Sequence, residues 1–98
     1  MKWRIVSAAE EELEEAAKWY EAAREGLGAE FLDEFEVGVR RITEFPHAWH
    51  PLSKRTRQYR LNRFTYGIVY QMRDGEVVIF AVAHLHRRRR YWRGRLRE

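Results

Sequence analysis

The sequence predicts an α+β domain of order strand-helix-helix-strand-strand-strand, with a mainly antiparallel sheet packed against a helical hairpin. Three observations predict it. Between residues 7 and 45 apolar side chains recur every three or four positions, in two blocks separated by Gly26 and Gly28. Between residues 66 and 83 two β-branched and aromatic runs flank Asp74-Gly75, a dipeptide suited to the positive φ angles of a two-residue hairpin. The chain has 98 residues, enough for one core and one domain, residues 1–98.

The elements follow in order. Trp3 and Ile5 alternate with Lys2 and Arg4, the period of a short half-buried strand. Ser7-Ala-Ala-Glu10 has the spacing of a capping box and predicts a helix start. That helix carries Ala9, Leu13, Ala16, Ala17, Tyr20 and Ala23 inward, with its glutamates expected on a solvated face. Trp3 and Trp19 are assigned to the core with Phe31, Phe35 and Phe80. A second helix, 29–45, places Phe31, Leu32, Phe35, Val39, Ile42 and Phe45 on one stripe and stops at Pro46. The segment 47–56, with Pro46 before it and Pro51 within it, has no period, so a loop is expected. Residues 58–64 read as a strand with one wet side. In the hairpin, a two-residue turn pairs Arg73 with Glu76, Tyr70 with Ile79 and Val69 with Phe80. Both hairpin faces are apolar, which places these strands at the sheet centre. Residues 84–98 form a basic, aromatic tail.

The net charge of +4 conceals a division. Residues 1–50 hold 6 Lys/Arg against 12 Asp/Glu, whereas residues 51–98 hold 13 against 3, a net of +10. The second half is therefore expected to meet a polyanion or an acidic partner. No cysteine is present, which excludes a disulfide framework, a thiolate zinc site and a cysteine nucleophile. His84 and His86 share a strand face without a third ligand at a sensible spacing, so neither metal nor cofactor is expected. Ser53 lacks the turn that exposes a serine nucleophile. The acidic segment after Ser7 is unlike a signal peptide, and no apolar run is long enough for a membrane span; a cytoplasmic protein is expected.

The combination of Arg60-Leu61-Asn62-Arg63-Phe64, Tyr66-Gly67-Ile68-Val69-Tyr70, Asp74-Gly75 and Ala81-Val82-Ala83-His84, followed by arginines and Tyr91-Trp92, resembles the RelE/ParE toxin superfamily over nearly the whole chain. The resemblance implies a toxin neutralised by an antitoxin in a hetero-oligomer. It is closer to the ParE-like branch, whose members inhibit DNA gyrase; members of the RelE-like branch cut mRNA on the ribosome. In the nuclease branch an arginine commonly follows the tyrosine that opens the central strand, and here that position is Gly67. His84 stands where ParE-like members often carry histidine.

Partner contacts are expected at Arg57, Arg60, His84, Arg87, Arg88, Tyr91 and Trp92, because the arginine fork pairs with carboxylate or phosphate and the rings stack. If the chain is a nuclease, Arg60, Arg87, Arg89 and Tyr91 are the candidates for catalysis, with Lys54 and Arg57 beside them. A non-toxic RNA-binding module is the alternative from another class; no RNP-like aromatic pair, KH-type glycine loop or zinc knuckle supports it.

Overall fold

A computed structural model describes residues 1–88 and 90–97. Strand β1 (Trp3–Ile5) leads into helix α1 (Ser7–Ala23) and helix α2 (Leu27–Glu44). Strands β2 (His50–Pro51), β3 (Thr56–Arg60), β4 (Tyr66–Arg73) and β5 (Glu76–His84) follow, and a terminal 3₁₀ helix spans Arg93–Arg97. The sheet order is β1-β5-β4-β3-β2. Neighbouring strands are antiparallel except β1, which runs parallel to β5 with Trp3 opposite Val77 and Ile5 opposite Ile79. The expected α+β architecture is present, with the 66–83 hairpin inside the sheet.

One face of the sheet packs on the helices. Phe31, Phe35, Val39 and Ile42 of α2 and Ala9 and Ala16 of α1 share a cluster with Tyr59, Ile68, Tyr70, Ile79 and Val82. The opposite face is smaller and holds Val69, Ala81 and Ala83 under Trp92. The two helices approach closely at Gly28, where an added Cβ would lie 2.6 Å from the Ala17 carbonyl oxygen. Gly26, at φ +87°, makes the turn, and the Glu21 carboxylate accepts from the Gly26 and Gly28 amides. Glu21 thus satisfies backbone donors at the start of α2.

Several sequence expectations are corrected. Ser7 lies inside α1, and the N-cap is Val6 with no side-chain cap. Val6 still donates to the Ile79 carbonyl at 3.0 Å, so the chain passes from strand to helix with no room for a capping box. Helix α2 ends at Glu44, leaving Phe45 exposed. The 47–56 segment contains β2, which pairs His50 with Gln58. The third strand spans 56–60 rather than 58–64, because buried Thr56 pairs with Gln71 and accepts from its amide at 2.8 Å. Phe64 instead turns into the aromatic cluster around Tyr20 and Phe31.

In the hairpin the pairs Arg73–Glu76 and Tyr70–Ile79 stand, but Val69 pairs with Ala81. Phe80 is the extra residue of a β-bulge, which lets Ile79 and Val82, three positions apart, both reach the helical face. Trp3 and Trp19 are 44% and 68% exposed and are not core residues. Trp3 sits on the edge strand, and Trp19 lies on the outer flank of α1.

Candidate functional site

The basic half of the sequence gathers where the open sheet face meets the tail. After β5 the chain turns through a hydrogen bond from the Arg87 amide to the His84 carbonyl, and the Leu85 amide holds to Thr65. The tail then folds back across the sheet and inserts Trp92, which is 5% exposed, onto Val69, Ala81 and Ala83. Burying an indole of this size is what fixes the tail.

A single carboxylate ties that tail to α1. Glu12 Oε1 accepts from Arg95 Nη1 at 2.8 Å and from the Val82 amide at 3.1 Å, while Oε2 accepts from the Tyr91 hydroxyl at 2.6 Å. Arg87 Nη1 lies 3.4 Å from the same oxygen, and its guanidinium stacks 3.8 Å from the centre of the Tyr91 ring. Glu12 is therefore not part of the solvated face expected for the α1 glutamates. It stands three residues after buried Ala9 and four before buried Ala16, on the inward stripe. That spacing was the available signal.

The tail and sheet enclose a cavity of about 280 Å³. Arg60, Arg87, Arg88 and Arg90 line it with His50 and His84, and among the described residues no carboxylate does. Arg60 and Arg88 are exposed and have no polar or ring partner among the described residues. Arg90 donates to the Leu52 carbonyl at 2.6 Å, closing the rim. Four guanidinium groups, of which Arg87 is paired with Glu12, make this a basic concavity.

The structure brings together Arg60, His84, Arg87, Arg88, Tyr91 and Trp92 from the sequence assignment. Trp92 acts from beneath as a packing residue, since its ring is buried. Arg57 does not line the cavity; it donates to the Trp49 carbonyl at 2.8 Å and braces the β2 segment. Lys54 is exposed and also lies outside the lining. Arg89 falls outside the described residues. His50, read in the sequence as a surface or packing residue, and Arg90, read only as part of the arginine run, were not among the assigned site residues, because only the β2–β3 pairing and the folded tail carry them to the cavity.

The chemistry available there is constrained. Burial, and then the hydrogen bond to Glu12, push the Tyr91 phenol well above its ordinary range. His84 Nδ1 accepts from the His86 amide at 3.1 Å, which leaves Nε2 to donate to the Thr65 hydroxyl, also at 3.1 Å. Gly67 is covered: a Cβ there would lie 2.8 Å from Gln58 Nε2, so a neutral amide fills the space in front of it. Among the described residues no group of three or more His, Cys, Asp or Glu side chains is placed to hold a metal ion. No helix there is long and apolar enough to cross a membrane.

The profile of the family described as "ParE toxin of type II toxin-antitoxin system, parDE" matches residues 4–91, from β1 to Tyr91. Among solved structures, the "Chromosomal ParDE TA system from P. aeruginosa" is similar, with a TM-score of 0.65 and 12% sequence identity. The match covers 88% of this chain and 97% of that one, a likeness of fold. No curated protein matches the sequence.

Proposed function

The chain belongs to the ParE toxin family of type II toxin–antitoxin systems, and from that premise we propose that it arrests growth by inhibiting DNA gyrase and is neutralised by a cognate antitoxin. The observation that carries the choice of target is at Gly67. RNA cleavage through the 2′-hydroxyl needs a base, a cation at the strained phosphate and an acid for the leaving oxygen. Gly67 offers no cation and is screened by Gln58. Tyr91 keeps its proton in the bond to Glu12.

In this reading Arg60, Arg87 and Arg88 contact the partner, with His84 and Tyr91 at the rim and Trp92 supporting them from below. The antitoxin lays an acidic segment over the same basic face, in a hetero-oligomer. The protein acts in the cytoplasm, where gyrase works. One observation favours the runner-up, ribosome-dependent mRNA cleavage. The His50 ring lines the arginine cavity and has no hydrogen bond among the described residues, so it is placed to serve as a base.

Induction of the protein alone, with plasmid supercoiling and mRNA integrity measured in the same cells, separates the two. The expected result is growth arrest with relaxed plasmid and intact mRNA. Replacing Arg60 and Arg88 with alanine should relieve both effects while leaving the fold unchanged, since neither side chain has a partner among the described residues to lose. Codon-positioned cuts in ribosome-bound mRNA with normal supercoiling would overturn the gyrase reading. Normal growth with neither effect would overturn toxicity as well.

A further inference from the structure

A second cavity, of about 400 Å³, lies on the other side of the Glu12 anchor, between the outer flank of α1 and the start of β4. It shares His84 and Arg87 with the arginine cavity but is otherwise lined differently. Trp19, Tyr20 and Tyr66 form its walls, and Glu12 and Glu15 supply carboxylates. The rings stand nearly at right angles: Trp19 to Tyr20 at 5.2 Å and 85°, Tyr20 to Tyr66 at 6.1 Å and 69°. Such rings present both faces and edges to one volume.

The charges in it are not equivalent. Glu12 is consumed by Arg95, Tyr91 and the Val82 amide. Arg87, which also lines the cavity, is paired with Glu12 and stacked on Tyr91. Glu15 has no hydrogen bond or ion pair among the described residues. Four residues further along α1, on the same helical face, Trp19 leaves its indole 68% exposed. An uncompensated carboxylate beside an exposed indole and two tyrosines is the combination that holds an organic cation, by ion pairing at one end and ring-face attraction along its length.

We propose that this cavity is a binding site for an arginine side chain presented by a partner protein. Arginine fits better than lysine, because its planar guanidinium stacks on Trp19 while its fork reaches the Glu15 carboxylate. The site adjoins the arginine cavity, with which it shares His84 and Arg87, and does not rest on the choice of gyrase as target. It would give the molecule two adjoining recognition points, one rich in arginine and one aromatic with the Glu15 carboxylate.

The test uses the full chain and N-acetyl-arginine amide as probe, followed by two-dimensional amide and indole NMR. The neutral isostere N-acetyl-citrulline amide is the control. Saturable shifts are expected at the Trp19 indole and at the Glu15 and Tyr66 amides, with citrulline producing none that saturate. Glu15→Gln and Trp19→Ala should each weaken binding by about 2–5-fold, the worth of a solvent-exposed contact of this type. Both side chains are exposed, and an unchanged spectrum away from the site verifies the fold. Equal binding of citrulline, absence of saturation, or shifts spread along α1 and unaffected by Glu15→Gln would each overturn the proposal. Neither gyrase nor an antitoxin enters this experiment, so its failure and that of the gyrase reading are separate outcomes.

Discussion

The Tyr91 hydroxyl donates to Glu12 Oε2 at 2.6 Å, joining residues 79 positions apart and fastening the tail to the first helix. Glu12 is the common acceptor for Tyr91, Arg95 and the Val82 amide, and its side chain is 12% exposed. Glu12→Ala leaves the Tyr91 hydroxyl and the Val82 amide without this acceptor in a partly dry place, while Arg95 keeps its bond to the Phe80 carbonyl. A loss of about 1.5–3 kcal/mol is expected in urea denaturation, the range for a hydrogen bond to a charged group. Amide exchange of residues 90–97 should accelerate more than that of β4. Glu11→Ala, on the exposed face of the same helix, should stay within about 0.5 kcal/mol of the parent. Equal effects at the two positions would remove Glu12 from its anchoring role.

Gly38 marks the closest approach of α2 to the sheet. An added Cβ would lie 2.8 Å from Tyr59 Cε1 and 2.9 Å from Ile68 Cδ1, and both side chains are buried. Gly38→Ala should therefore destabilise by about 1–3 kcal/mol through overpacking, although alanine is the better helix former. A raised melting midpoint would mean that the helix and sheet have slack at this point.

Acid should loosen the corner where α2 begins. Glu30 accepts from Arg63 at 2.7 Å and from Arg24 at 3.1 Å, and these bonds, Arg63 first, hold its carboxyl below the ordinary value of 4.5. A carboxylate whose folded value is depressed contributes stability at pH above the unfolded value and loses it as pH falls through the folded one. Glu30→Gln should therefore flatten the decline of stability below about pH 4.5 and leave a smaller difference from the parent there than at pH 7. The pair is exposed, so the effect is small. Urea midpoints of both proteins across an acid series measure it, and parallel curves would refute it.

Association with the antitoxin should be steered by charge. Residues 51–98 carry a net +10, and Arg60 and Arg88 face solvent at the cavity without partners among the described residues. Stopped-flow association should slow as salt rises, and Arg60→Ala with Arg88→Ala should flatten that dependence. Rates independent of salt would show that apolar contacts alone bring the two chains together.

Much of the fold was legible because it rests on short-range periodicity. The inward stripe of α2 at Phe31, Phe35, Val39 and Ile42, the apolar hairpin and the Asp74-Gly75 turn each state their geometry within a few residues, and each appears in the structure, although Leu32 and Phe45 of the expected stripe are exposed. The bulge at Phe80 was not legible, since alternation cannot show where one residue is left over. Nor were the exposures of Trp3 and Trp19, because a large ring on an apolar stripe reads as core until the neighbouring surface is known.

By itself the sequence determined the element order, the central hairpin, the uneven charge and the resemblance to a toxin superfamily, all properties of neighbouring residues or of composition. Only the tertiary structure decided which charges remain available. Glu12 and Arg95 are 83 positions apart, and His50 reaches the arginine cavity through pairing with β3. A charge is neutralised by what lies within a few ångströms of it, and that distance is set by folding rather than by position along the chain.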